Sequence, residues 1–186
     1  MDLKSILKTL YISTFFLGNN VYAAASKQKP TVKKVTKEKI HITADVFEGY
    51  TSDNPDYSFK QFIGNVKAVN KNFTYRSDVV TSYDKKDIIV SEGNINVKGN
   101  KKNFEATAGK VTYNTKEKIA YVEDTVQGHQ DKLSFFTEKL EYHSKKKQII
   151  FNTLGTFKEE DMTVTSMQGV INTRTKFVTL KQDILV

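Results

Sequence analysis

One motif recurs through most of this chain at a spacing near thirty residues, and that recurrence restricts the fold more than anything else in the sequence. Gly64-Asn65-Val66, Gly93-Asn94-Ile95, Asp124-Thr125-Val126, Gly155-Thr156-Phe157 and Gln182-Asp183-Ile184 are variants of one marker, with steps of 29, 31, 31 and 27 between their middle residues. A second element falls between the markers. Tyr83-Asp84-Lys85-Lys86-Asp87-Ile88, Tyr113-Asn114-Thr115-Lys116-Glu117-Lys118-Ile119, Tyr142-His143-Ser144-Lys145-Lys146-Lys147-Gln148-Ile149 and Ile171-Asn172-Thr173-Arg174-Thr175-Lys176-Phe177 each read as an apolar residue, a polar and basic turn, and a second apolar run. A fixed period of this length means stacked supersecondary units that share one continuous core.

Within the units the apolar pattern has period two. Phe104, Ala106 and Ala108 share a face, as do Phe73, Tyr75 and Ser77. The phase then slips by one, since Val111 and Tyr113 follow Ala108 by three and five, and Leu140 and Tyr142 follow Thr137 in the same way. A one-residue slip inside a strand is the signature of a bulge, which bends the strand and sharpens its twist. Gly64, Gly93 and Gly109 stand where such bends are needed. Each unit therefore reads as two antiparallel strands, rich in Thr, Val, Ile, Tyr and Phe and separated by Asn, Asp, Lys and Gly. One stretch also fits a helix: Leu133, Phe136 and Leu140 share a helical face within 131–147. The strand pair is preferred because it aligns Phe135, Thr137, Leu140 and Tyr142 with the preceding unit.

The expected fold is all-β: an elongated, twisted, antiparallel jelly-roll-like sheet built from about five two-stranded repeats. Such a stack has open ends. Ile40 and Ile42 at one end and Ile184, Leu185 and Val186 at the other are read as assembly edges, ready to pair with another molecule. A tucked terminal strand is the alternative.

Composition bounds the rest. In a chain of 186 residues, residues 1–25 look like an export signal, with Lys4 and Lys8, a short apolar run from Leu10 to Leu17, and small residues for cleavage after Ala23 or Ala25. A retained anchor is the alternative. Residues 26–39 read as a basic flexible linker, and 40–186 as the folded domain. Cys is absent, so no disulfide supports the core. Of the net charge of +8, residues 1–39 carry +6, eight lysines against Asp2 and Glu38, which leaves +2 for residues 40–186. That balance argues against nucleic acid as a partner, because phosphate-driven binding needs a basic face on the folded part. An envelope-polymer binder is weakened on the same ground.

No enzyme signature is present. His41, His129 and His143 lie in separate units, the first in a strand and the other two in expected turns. Glu159-Glu160-Asp161 reads as a solvated hairpin loop rather than a cation site, and no cofactor or metal is expected. Neither a nucleophile elbow nor a phosphate loop occurs.

The ordered set Ile40-His41-Ile42-Thr43-Ala44-Asp45, Phe62-Ile63-Gly64-Asn65-Val66 and Tyr75-Arg76-Ser77-Asp78-Val79-Val80, with Gly93-Asn94-Ile95-Asn96-Val97 repeating the middle element, resembles the OstA-like fold of lipopolysaccharide transport. Within it the chain is most similar to the LptA family of soluble periplasmic bridge proteins. The resemblance spans roughly residues 40–186. It implies a jelly roll that shelters lipid A acyl chains, assembles head to tail with itself and with other OstA-like domains, and draws its energy from a partner ATPase complex. Units three and five depart by replacing Gly-Asn with Asp-Thr and Gln-Asp, and Asn54-Pro55-Asp56-Tyr57 is closer to the membrane-anchored LptC relatives. An LptC-like component of the same pathway is therefore the alternative. Under either reading Ala44, Ala68, Ala106 and Ala108 leave room for acyl chains, while Phe73, Ile95, Val97, Phe104 and Phe135 form walls. Each of these positions also suits ordinary core packing. Lys67, Lys98 and Lys110 at the rim are candidates for sugar phosphates.

Overall fold

A computed structural model describes residues 40–54, 57–100, 104–130, 132–172, 175 and 177–185. The export signal and the linker expected over 1–39 lie outside them. The chain begins with two short strands, β1 (His41–Thr43) and β2 (Val46–Tyr50). Four long ones follow: β3 (Phe59–Val69), β4 (Phe73–Tyr83), β5 (Ile88–Gly99) and β6 (Phe104–Asn114). Then come β7 (Ile119–Glu123), β8 (Val126–Gln130), β9 (Leu133–Thr137), β10 (Leu140–His143) and β11 (Gln148–Phe151). The last are β12 (Gly155–Glu159), β13 (Met162–Ser166), β14 (Gln168–Asn172) and β15 (Val178–Lys181). Every named pairing is antiparallel, and all fifteen strands belong to one hydrogen-bonded network. The segment 131–147 forms β9 and β10 instead of a helix. Its Val, Phe and Tyr neighbours supply paired strands, and the helical spacing of three side chains cannot outweigh that ladder.

The markers explain why there are fifteen strands rather than ten. Each long strand is kinked near its middle, where the register shifts between Ile63 and Val66, between Arg76 and Val79, and between Glu92 and Ile95. At two of these bulges a Gly-Asn pair takes consecutive left-handed conformations, with φ of 74° and 47° at Gly64 and Asn65 and of 74° and 44° at Gly93 and Asn94. Glycine enters that region at no steric cost, and asparagine tolerates it better than most residues. Beyond β6 the kink becomes a full break. Asp124 and Thr125, with φ of 63° and 62°, separate β7 from β8. Gln182 and Asp183 repeat the device after β15. The fourth marker behaves differently: Gly155 simply opens β12, and the crossing is made by residues 152–154. Its glycine is needed for packing, since a β-carbon there would sit 2.6 Å from the Phe151 ring.

These kinks and breaks line up across the molecule into one crease, which divides the network into two half-sheets. The first contains β1, one half of each strand from β3 to β6, then β8, β9, β12 and β13. The second contains β2, the other halves of β3 to β6, then β7, β10, β11, β14 and β15. Their inner faces close on one apolar cluster, with Val66, Phe73, Tyr75, Ile95, Val97, Phe104 and Val126 on one side. Val80, Val111, Tyr113, Val122, Leu140, Tyr142, Ile149, Phe151 and Ile171 stand opposite. Each large side chain buried here contributes roughly 1.5–3 kcal/mol of transfer free energy. With no disulfide, this burial and the ladders hold the fold.

Candidate functional site

The crease is clasped at regular intervals. Asn65 Nδ2 donates to the Asp45 carboxylate at 2.8 Å, and Asn94 Nδ2 donates to Asp78 at 2.8 Å. At the third crossing Gly109 N donates to the Asp124 carbonyl at 2.9 Å. A β-carbon at Gly64, Gly93 or Gly109 would run into Asp45, Asp78 or Asp124 respectively. Thus Ala44-Asp45, the Gly-Asn pairs and Asp78, noticed in the sequence as separate signatures, are the two sides of one corner. Side-chain hydrogen bonds to a charged acceptor are stronger than neutral ones, which suits a corner lying in solvent.

Along the trough between the half-sheets the packing is uneven. Ala68, Phe73, Ile95, Val97 and Phe104 are buried in the core, while Ala44, Ala106, Ala108 and Phe135 are half-buried against it. The structure brings all nine sequence-chosen residues to one continuous interior, on the first half-sheet or, for Ala44, at the crease. The opposite wall was missed. Its strongest members, Tyr113, Tyr142, Ile149 and Phe151, sit beside the basic turns, and their two-residue alternation was the signal available. Phe135, Phe151 and Phe157 form an aromatic knot with ring centroids 4.8–6.1 Å apart. A β-carbon on Gly169 would also collide with the Phe151 ring, so this end is tight. Near β8 it is loose: a β-carbon on Gly128 would meet nothing nearer than 3.9 Å.

Polar groups also enter the core. The Tyr75 hydroxyl lies against Ser91 and Ser77, and burial pushes its pKa up to about 12 despite those partners. Burial likewise raises Tyr113 to about 12, with Ser144 acting in the opposite sense. Thr137 Oγ1 and Thr153 Oγ1 are 2.9 Å apart, and Ser166 Oγ donates to backbone carbonyls of Gln168 and Lys181 at 2.7 and 2.8 Å. The Thr137–Thr153 and Ser166 contacts satisfy hydroxyls where the chain passes between half-sheets.

A concavity of about 570 Å³ lies on the outer side of the first half-sheet. Two cross-strand rows line it, Glu105–His129–Ser134–Lys158 and Thr107–Gln127–Phe136–Thr156, with Ala106, Gly128 and Phe135 completing the floor. It is separate from the trough, because the row residues alternate with the inward-facing ones. His129 therefore sits in β8 and not in a turn, and His143 ends β10, with Nε2 2.8 Å from the Glu141 carboxylate. Strand alternation carried further than the Gly-His-Gln run suggested. Glu160 and Asp161 do form the β12–β13 hairpin loop, with Lys132 paired to Glu160. Among the described residues no cluster of three or more His, Asp or Glu is placed to hold a metal ion.

Of the rim lysines, Lys98 lies 3.8 Å from Glu105 and Lys110 lies 3.1 Å from Glu92. The Glu92 carboxylate, by hydrogen bond and charge, raises the Lys110 pKa above its ordinary value. Lys67 is exposed on β3.

Among the described residues, both ends of the stack finish on strands that are paired along one edge. β1 and β2 pair only with β3, and Ile42, Val46, Phe47 and Tyr50 are exposed there, Phe47 to 60%. Ile40 is half-buried against the core. At the far end β15 pairs only with β14, and Thr165 and Leu185 form an isolated bridge through hydrogen bonds of 2.9 and 3.2 Å. Phe177, Ile184 and Leu185 are exposed, Leu185 to 70%. Val186 lies outside the described residues.

Comparison with known proteins follows this geometry. No curated protein matches the chain. Among solved structures it is similar to the crystal structure of LptH from Pseudomonas aeruginosa, the LptA-homologous periplasmic component of the lipopolysaccharide transport device of that organism. The identity is 14%, the alignment covers 80% of this chain and 95% of that one, and the TM-score is 0.33. The model of the OstA-like protein family matches residues 37–186, which contain every strand, the crease and both open edges. The chain belongs to the OstA-like protein family.

Proposed function

We propose that this chain is a non-enzymatic periplasmic carrier of lipopolysaccharide, one link in a bridge from the inner to the outer membrane. The observation that supports the reading is a continuous apolar interior between two half-sheets, with strand edges left open at both ends among the described residues. Membership of the OstA-like family supports lipopolysaccharide as the cargo class. The physics is burial: shielding a methylene from water is worth about 0.8 kcal/mol, so an acyl chain of roughly a dozen carbons represents on the order of 10 kcal/mol. The loosely packed stretch around Ala106, Ala108 and Gly128 is where an acyl chain displaces least protein. The long crease gives the half-sheets a line about which to part. The edges β1–β2 and β15 extend the sheet into a neighbour, as strand addition does elsewhere, so the trough runs on from one subunit to the next. Export by the leader at 1–25 belongs to the same reading.

A photo-crosslinking residue replacing Phe104 should capture lipopolysaccharide, and one replacing Thr107, outward on the same strand, should not. Equal capture at the two positions overturns the trough as carrier. For assembly, sedimentation should show mass rising with concentration, and both Phe47→Asp and Leu185→Asp should suppress the rise. A mass that stays monomeric at high concentration removes the bridge.

A further inference from the structure

The four basic turns, scattered through the sequence, are gathered by the fold onto a single rim of the second half-sheet. They join β4 to β5, β6 to β7, β10 to β11 and β14 to β15, which are successive neighbours in that sheet. Three of them are physically joined, Thr115 N donating to the Asp87 carbonyl at 2.7 Å and the next pair sharing two further bonds. Ser144 N donates to the Lys118 carbonyl at 3.0 Å, and Lys145 Nζ donates to the Lys116 carbonyl at 3.3 Å. These two turns, 115–118 and 144–147, hold five lysines, Lys116, Lys118, Lys145, Lys146 and Lys147, against the single acid Glu117. Their backbone is fixed: Asn114 Oδ1 accepts from Lys116 N and Glu117 N at 3.0 and 2.8 Å, and Lys118 and Lys147 close the turns with φ of 66° and 56°. Lys116, Lys145 and Lys146 are exposed. Among the described residues of the opposite rim, Lys71 and Lys132 are balanced by Glu160 and Asp161, with Lys132 paired to Glu160.

We propose that this paired-turn rim is a docking surface for an anionic lipid bilayer. A single phosphate calls for donors that converge in a hollow, whereas these lysines are spread over two adjacent hairpin tips with Lys116, Lys145 and Lys146 exposed, as contact with a broad anionic surface requires. Aromatic and apolar groups flank the row. Lys86 stands 5.7 Å from the Tyr83 ring centre and 6.0 Å from that of Tyr57, and Phe177, in the next turn along, is 75% exposed. Lysines interleaved with such side chains suit the headgroup boundary, where the ring is half-buried and the ammonium stays wet. The surface is separate from the trough and stands without the cargo reading.

The test is co-flotation of the full chain with vesicles of phosphatidylcholine alone or with phosphatidylglycerol. Wild type should float with the anionic vesicles only, and less so as salt rises. The triple variant Lys116→Gln, Lys145→Gln, Lys146→Gln leaves the left-handed positions untouched and should lower the partition constant on the order of a hundredfold, each lysine being worth about fivefold. Lys71→Gln with Lys132→Gln, on the opposite rim, should change it little. Equal losses in the two variants, or equal binding to uncharged vesicles, overturn the proposal. So does an RNA oligonucleotide that binds the wild type more tightly than the anionic vesicles do.

Discussion

The amino-terminal and carboxy-terminal halves of the sheet cross the same crease by different means. From β3 to β5 the strands run through it unbroken, each bent by a bulge and two of them carrying Gly-Asn in left-handed geometry with an aspartate clasped across. From β7 onward the chain leaves strand geometry at each crossing and resumes on the other half-sheet. At the crossings made by the markers at 124–125 and 182–183 the difference follows from residue type. Where glycine can take the first left-handed position and asparagine the second, the ladder is interrupted by one bulge only. Where Asp124-Thr125 or Gln182-Asp183 must do so, strained non-glycine backbone ends the strand. Packing within the carboxy-terminal half is itself uneven, loose near Gly128 and tight around Phe151.

Four substitutions or titrations test that contrast, in descending size. Phe151→Ala empties the tight knot between Gly155 and Gly169 and should cost about 3–5 kcal/mol in chemical denaturation. A cost under about 1 kcal/mol would place the rigid packing elsewhere. Next is alkaline pH. Tyr75 is protonated and neutral when folded, with its pKa raised to about 12 against the ordinary 10. The folded state therefore holds the proton more tightly, and its contribution is intact below pH 10 and lost as pH climbs from about 10 to 12. The loss is on the order of 2–3 kcal/mol. Tyr75→Phe should flatten that part of the stability profile, and an unchanged slope refutes the assignment.

Asp78→Ala removes one clasp from an unbroken crossing. It should destabilise by about 1 kcal/mol, the usual size for a solvent-exposed hydrogen bond, measured against Asp53→Ala outside the crease. Smallest, and opposite in sign, is Asp124→Gly, which gives the broken crossing the residue its φ favours. It should stabilise by about 0.5–1 kcal/mol. If it destabilises instead, the side chain at 124 does more than occupy a strained position.

Strand identity, most turn positions and the repeat were legible in the sequence, because they depend on neighbours two to four residues apart, although His129 and His143, expected in turns, lie in β8 and β10. The slip after Ala108 foretold the bend beside Gly109, and the alternation of Phe104, Ala106 and Ala108 placed the inner wall of the first half-sheet. The helix-like spacing of Leu133, Phe136 and Leu140 was ambiguous for the same local reason. The opposite wall was not read, because Tyr113 and Tyr142 adjoin polar turns and looked like their flanks.

By itself, then, the sequence determined that the chain makes paired strands in five repeats, where they turn and where they bend. Only the tertiary structure decided that the bends align into one crease, that Asp45 and Asp78 reach Gly-Asn pairs 20 and 16 residues away, and that lysines from separate repeats meet on one rim. The reason is range. Periodicity records which face a residue takes, but register between repeats fixes which faces, corners and charges become neighbours, and that is set by burial of the whole core at once.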